Sequence, residues 1–294
     1  MVKIGFIGAG TVGTALAVRL SERGYHVVVV SSRSKASAEK LAALIKGCRV
    51  AGSNQAAADA ADLIFITTPD GVIPQVAAEL RWRSGQSVVH CSGADSTDTL
   101  EPARKAGANV GAFHPLQTFA SVNQALDNIA GSTFAIESQE PLLTTLKDMA
   151  TALDGHSIEL EASDKVVYHA AAVMACNYMV TLVKLATDLW QTFGVPPQEA
   201  TRALMPLLQG TLHNIDKVGL PQCLTGPIAR GDKGTVAKHL KALREQAPSL
   251  LSTYGELGLQ TIPIALAKGK INREQAQELE EILEQARRES ATCV

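Results

Sequence analysis

The stretch that most constrains how this chain can fold is its first. Residues 2–13 read V-K-I-G-F-I-G-A-G-T-V-G. A short apolar run at positions 4–7 leads into Gly8, Gly10 and Gly13 in G-x-G-x-x-G spacing, and Ala15, Leu16, Val18 and Leu20 then open a helical pattern. Strand, glycine turn and helix in that order make a dinucleotide-binding corner. Gly8 allows the tight turn, Gly10 lets backbone N–H groups approach a pyrophosphate, and Gly13 lets the helix pack close to the strand. The free N–H groups at the helix start favour phosphate. Gly8, Ala9, Gly10, Thr11, Val12 and Gly13 are therefore the expected cofactor contacts.

A second β-branched run at 27–30 ends in Ser31, Ser32, Arg33 and Ser34. An acidic residue here would bind the ribose 2′-OH and repel a 2′-phosphate. The chain offers hydroxyls and a guanidinium instead, which suit a phosphate dianion and point to NADP. A plain polar loop is the competing reading. Further strand-like runs lie at 62–68, 87–90, 108–113, 132–137 and 157–160, with helical patterns at 35–46, 72–80 and 140–153. That alternation predicts an α/β Rossmann fold with a doubly wound parallel sheet, because each parallel crossover needs a covering helix. Thr67, Thr68 and Pro69 close the strand at 62–68, either beside the cofactor or as a simple helix cap.

Beyond Glu161 the texture becomes helical almost throughout. One long apolar pattern, with room for a kink, covers 162–193, and others cover 198–218 (with Pro206 inside), 235–245, 248–266 and 273–290. The last is rich in Glu, Gln and Arg and reads as a solvated outer helix. The expected organisation is an NADP-binding domain at 1–162 and an all-helical substrate and dimerisation domain at 163–294. Charged residues make up 19% of the chain and the net charge is −2, so the footprint of a nucleic-acid binder is missing. Five scattered cysteines, Cys48, Cys91, Cys176, Cys223 and Cys293, form no C-x-x-C pair and point to neither a disulfide framework nor a metal site. No basic leader precedes the first strand, and the apolar run at 170–185 reads as too short for a bilayer, so a cytoplasmic protein without membrane contact is expected.

Chemistry is expected at the carboxyl ends of the later strands. Ser92 sits in a glycine-bearing turn, as a substrate donor or a turn cap, and His114 precedes a proline, as a proton donor or a locally bonded imidazole. His90 is a weaker candidate, pointing into the sheet. The helix after the boundary reads D-K-V-V-Y-H-A-A-A-V-M-A-C-N-Y-M. Lys165 and His169 lie about 40° apart on it, and Asn177 continues the stripe two turns on. Such a stripe on an apolar helix is costly unless it faces partners or a cleft. Arg230, in T-G-P-I-A-R-G-D, either clamps a carboxylate or belongs to a helix connection, the second being favoured.

G-A-G-T-V-G, S-S-R-S, H-C-S-G-A, G-A-F-H-P-L-Q-T-F, Y-H-A-A-A-V-M-A-C-N-Y and L-T-G-P-I-A-R-G-D together resemble a bacterial family that joins a Rossmann-like half to a helical domain of unknown function. Its members are described as candidate NADP oxidoreductases, and its layout is similar to pyrroline-5-carboxylate reductase, ketopantoate reductase and the β-hydroxyacid dehydrogenases. The resemblance implies a homodimer formed through the helical domain. By likeness to the β-hydroxyacid dehydrogenases it implies helix roles for Lys165 and Asn177 and a turn role for Ser92 and Gly93. The spacing from Lys165 to Asn177 departs from that pattern and lets His169 stand in for the lysine. The expected activity is NADP-dependent reduction or dehydrogenation of a small carbonyl or imine. A non-catalytic NADP sensor and a deazaflavin-linked NADP oxidoreductase are the rivals.

Overall fold

Burial on both faces makes Ile4–Ile7 a central strand, and the fold grows outward from it. The computed structural model describes residues 1–291, so Cys293 lies outside the described residues. The first half runs β1 (Lys3–Ile7), α1 (Thr11–Glu22), β2 (His26–Ser31), α2 (Lys35–Ala43), β3 (Arg49–Val50), α3 (Asn54–Ala60), β4 (Leu63–Ile66), α4 (Ile73–Glu79) and β5 (Ser87–His90). It continues through α5 (Glu101–Lys105), β6 (Asn109–Leu116), α6 (Val122–Asn128), β7 (Thr133–Ser138), α7 (Leu142–Ala152) and β8 (His156–Glu159). The strands form one sheet in the order β3-β2-β1-β4-β5-β6-β7-β8. The chain reverses its direction of travel between β1 and β4, so the crevice at their carboxyl ends is the ligand position of an open α/β sheet.

The sheet is covered on both faces. On one, Phe6, Phe65, Phe113 and Phe134 form a chain of ring contacts, with centroids 4.6–6.1 Å apart in successive pairs, beneath Leu16, Leu20, Leu146 and Met149. On the other, Ile7, Ile64, Ile66 and Val88 meet Ala57, Ile73, Val76 and Ala103. The wholly parallel expectation needs correction at one edge, because β6 and β7 are antiparallel. Helix α6 spans only about 10 Å, whereas β6 is about 26 Å long, so α6 cannot return the chain along the strand and β7 starts where β6 ends. Strand β6 also outruns the expected 108–113. Its last pairing with β5 is Ala112 with His90, and Pro115 lies beyond it, where a residue without an N–H is tolerated.

Helices α8 (Lys165–Ala175), α9 (Asn177–Gln191), α10 (Pro197–Val218), α11 (Lys233–Gln246), α12 (Leu251–Lys268) and α13 (Arg273–Ala291) complete the described chain. The first compact unit is Met1–Asn177 and the second begins at Tyr178. The change of texture at 162 follows the last strand, and α8 belongs to the first unit, where Lys165 reaches Ser92 and Tyr168 reaches His114. The expected long helix is interrupted at Cys176. Its apolar residues are not buried: Val166, Val167, Met174 and Val180 are 66–73% exposed. The apolar stretch is longer than the run at 170–185: Lys165–Gln191 is long and apolar enough, by length and composition alone, to cross a membrane.

In the second unit, Val236, Leu240, Ile262, Leu279 and Leu283 are buried together. Gly255 and Gly258 of α12 let α13 approach closely; a Cβ at Gly258 would lie 2.7 Å from Leu283. Helix α13 is thus amphipathic rather than solvated all round, with Leu279, Leu283 and Ala286 fully buried. The T-G-P-I-A-R-G-D segment forms a short 3₁₀ turn closed by Gly231 at φ +67°, and Asp232 caps α11 through Thr235 N–H at 2.9 Å. Arg230 is exposed on this connection.

Candidate functional site

The glycine corner divides its work as its residue types require. Gly8 has φ +113°, and a Cβ there would lie 2.6 Å from the Thr67 backbone. Gly13 lies against Gly8 O and the Thr67 side chain. Gly10 is different: among the described residues, no atom outside its own neighbourhood lies within 4 Å of its Cβ position. Gly10 also caps α1 without any side-chain acceptor, so the first-turn N–H groups remain available to an anion.

The end of β4 joins this corner. Thr67 Oγ1 donates to Gly8 O at 2.9 Å and holds the glycine turn in shape. Thr68 Oγ1 is buried and has no hydrogen-bond partner among the described residues. An open glycine, a free helix start and an orphaned hydroxyl fit a dinucleotide phosphate and its adjoining ribose. Pro69 is exposed just beyond.

At the end of β2 the four polar residues separate. Ser31 is buried, its hydroxyl bonded to Asn54 and its carbonyl accepting from Gly8 N–H. Ser34 caps α2 through Ser37 N–H. Ser32 is half-buried and Arg33 exposed, and among the described residues neither side chain is engaged as those of Ser31 and Ser34 are.

The turn after β5 is a dense polar knot. His90 is fully buried; its Nε2 lies 3.2 Å from Ser96 O, and its Nδ1 accepts Ser92 N–H at 3.1 Å. That pairing defines a neutral imidazole with its proton on Nε2. Burial, aided by the Lys165 charge, lowers its pKa to about 4. The Ser92 hydroxyl accepts from Asp95 N–H at 3.0 Å and sits within donating distance of the Asp70 and Asp95 carboxylates, at 2.9 and 3.0 Å. The Ser92 carbonyl accepts from Lys165 Nζ at 3.1 Å.

Lys165, the first residue of α8, is not a solvated helix-start lysine. It is 1% exposed, and desolvation lowers its pKa against the opposing pull of Glu137, Cys91, Asp95 and Asp70. Its side chain is turned onto the Ser92 turn rather than into open space.

Gly93, next in that turn, lets two histidines close in. A Cβ there would fall 2.6 Å from His169 Cδ2 and 2.9 Å from His114 Nε2. The His114 and His169 ring centroids are 6.1 Å apart. His114 Nδ1 lies 2.8 Å from Tyr168 Oη. Burial lowers the His114 pKa to about 4, with Lys165, His169 and His90 adding to the effect, and burial raises the Tyr168 phenol to about 12. Tyr168 was not among the sequence candidates. Its only sequence signal was adjacency to His169 in the Y-H-A-A-A run.

Beside these groups lies a cavity of about 600 Å³ within the first unit. His114, Tyr168, His169, Phe119, Val173 and Asn177 are among its lining residues. Asn177 is exposed there, at the first residue of α9. Ser92 and Lys165 do not line it.

Residues 3–93 match the family described as NADP oxidoreductase, coenzyme F420-dependent, and residues 132–261 match a domain of unknown function, DUF2520. The nucleotide-binding half is thus similar to that of an NADP oxidoreductase. No curated protein matches the chain. Among solved structures, the chain is similar to protein TM1727 from Thermotoga maritima, at 26% identity and TM-score 0.74, covering 90% of this chain and 99% of that one. A candidate NADP oxidoreductase from Bacteroides fragilis follows at 24% identity and TM-score 0.70, covering 89% and 98%. A reductive aminase from Aspergillus terreus, in complex with NADPH and ethyl levulinate, shares the fold at 19% identity and TM-score 0.66, covering 96% and 99%.

Proposed function

We propose that this protein is an NADP-dependent oxidoreductase that reduces a small carbonyl or imine at the cavity beside His114, Tyr168 and His169. The observation that carries the reading is the convergence of His114 and His169 on Gly93, at the carboxyl end of β5, in the unit that holds the glycine corner. A non-catalytic NADP sensor would need no such grouping. NADPH supplies the hydride when bound; the chain supplies the pyrophosphate cradle at Gly8–Gly13, the 2′-phosphate contacts at Ser32 and Arg33, and the proton. Tyr168 stays protonated at neutral pH, and His114 stays uncharged. His114 carrying its proton on Nδ1 donates to Tyr168 Oη, which frees the phenol O–H to protonate the substrate oxygen or nitrogen. His169 and Asn177 orient the substrate in the cavity. Lys165, Asp70, Asp95 and His90 keep the Ser92–Gly93 turn in shape.

Two further assignments belong to the same reading. The exposed apolar side chains of α8, α9 and α10, among them Val167, Met174, Val180, Leu207 and Leu212, form the contact of a homodimer rather than of a lipid bilayer. Cys48, Cys91, Cys176 and Cys223 are free thiols, in keeping with a reducing cytoplasm.

The test is NADPH titration followed by fluorescence and thermal protection, with NADH and deazaflavin F420 as comparisons, then reduction of a ketone and imine panel by wild type and Tyr168→Phe. Tight NADPH binding with kcat reduced at least 100-fold in Tyr168→Phe, at unchanged NADPH affinity, supports the reading. No response to either nicotinamide nucleotide refutes it. Sedimentation of the protein as a monomer at micromolar concentration refutes the dimer.

A further inference from the structure

The cavity beside the Tyr168–His114 pair contains a chemical selection rule. Its apolar wall comes from Leu116, Phe119, Ala171, Ala172, Val173 and Ala175. Among the described residues, no lysine, arginine, aspartate or glutamate lines it. The nearest cation on α8, Lys165, is 1% exposed and spends its ammonium on the Ser92 carbonyl. The Gln117 amide is already engaged at both ends, donating to Asn128 O at 3.2 Å and accepting Thr118 N–H at 2.9 Å.

An anion entering this half-open space would shed part of its water without gaining a fixed charge or a bidentate donor in return. Burying an unpaired carboxylate is among the costliest steps in protein chemistry. An uncharged substrate meets the opposite balance: apolar wall for its bulk, and the polar groups of Tyr168, His169 and Asn177 for its reacting atom. The volume, about 600 Å³, accommodates a molecule larger than a three- or four-carbon keto acid.

We propose that the cavity selects an uncharged, largely apolar ketone, aldehyde or neutral imine and discriminates against carboxylates. The inference rests on the oxidoreductase reading above and names its substrate class. The reaction balances without a further reagent: hydride passes from NADPH to the carbonyl carbon or imine carbon, the C=O or C=N π bond breaks, a proton reaches the oxygen or nitrogen, and NADP⁺ is released with the alcohol or amine.

The test compares methyl 2-oxo-4-phenylbutanoate with its free acid, which share the reacting carbonyl and the apolar tail and differ in charge. Binding of each to NADP⁺-saturated protein is measured by calorimetry, and NADPH oxidation is followed with each. The ester is expected to bind at least 100-fold more tightly and to show the larger kcat/KM. Leu116→Arg, a change on a partly exposed wall residue, is expected to improve binding of the acid at least tenfold and weaken that of the ester. Equal or tighter binding of the acid by the wild type overturns the proposal, and so does the failure of both compounds to bind. The same ranking is measured without nucleotide, so a failure of NADP⁺ to bind refutes the oxidoreductase reading while the ester–acid comparison still decides the selection rule.

Discussion

Acid should unlock the turn that carries Ser92 and Gly93, and His90 sets the pH at which this happens. Its Nδ1 accepts Ser92 N–H and its Nε2 faces Ser96 O, an arrangement that only the neutral imidazole can make. Burial lowers its pKa from 6.5 to about 4. Between those values the unfolded chain binds a proton that the folded chain refuses, so stability rises with pH across that window. The contribution is complete above pH 6.5 and is lost as pH falls to about 4. At about 1.4 kcal/mol per pH unit, a separation of this size is worth roughly 3 kcal/mol, or about 6–12 °C in Tm for a unit of this length. The assay is Tm against pH, from 7 to 4.5, for wild type and His90→Gln. Glutamine can still bond Ser96 O but does not titrate, and the paired comparison cancels the carboxylates that titrate in both proteins. Wild type should lose several degrees more than the variant over this range. Parallel curves would show that His90 is not held neutral by the fold, and the account of the turn would fail.

Three other outcomes follow from named contacts. Gly93→Ala has no backbone strain to confuse it, but its Cβ would overlap both His169 and His114; displacing the rings by about 1 Å should cost about 100-fold in kcat with little change in NADPH affinity, measured by steady-state kinetics alongside calorimetric titration. Thr68→Val removes the orphaned hydroxyl, so the unliganded protein should be as stable or slightly more so, while NADPH binding weakens about fivefold; a fall in Tm without loss of affinity would contradict this. Replacing Ser32 and Arg33 together by alanine should reduce the preference for NADPH over NADH by at least tenfold, leaving NADH affinity nearly constant, as read by fluorescence titration of both nucleotides.

The glycine corner was legible because each step of it is local. Strand, turn and helix adjoin in sequence; only the close packing that requires Gly8 and Gly13 comes from a distant residue, Thr67 at the end of β4. The strands after it were legible for the same reason, down to Ser87–His90. The reversal at β7 was not, because a short helix and a crossover helix look alike until the length to be spanned is known. At the site, the sequence offered Ser92, His114, Lys165, His169 and Asn177 as candidates, with His114 or His169 favoured as proton donor and Asn177 as the orienting group. The fold gave Ser92 and Lys165 to each other, and it paired His114 with Tyr168, 54 residues away. Helical periodicity alone placed Lys165 and His169 on one face, and both meet the turn after β5.

What the sequence determined by itself was therefore the cofactor corner, the alternation of strands and helices, and the change to helix after Glu161, each encoded within a span of a few turns or strands. Tertiary structure decided which polar groups remain free. A side chain's chemistry depends on what the fold places against it: the Lys165 ammonium is consumed by a carbonyl 73 residues away, the Thr68 hydroxyl is left without a partner, and His114 and Tyr168 are held uncharged by burial. Desolvation and long-range hydrogen bonding have no period in the sequence, so they appear only once the chain has folded.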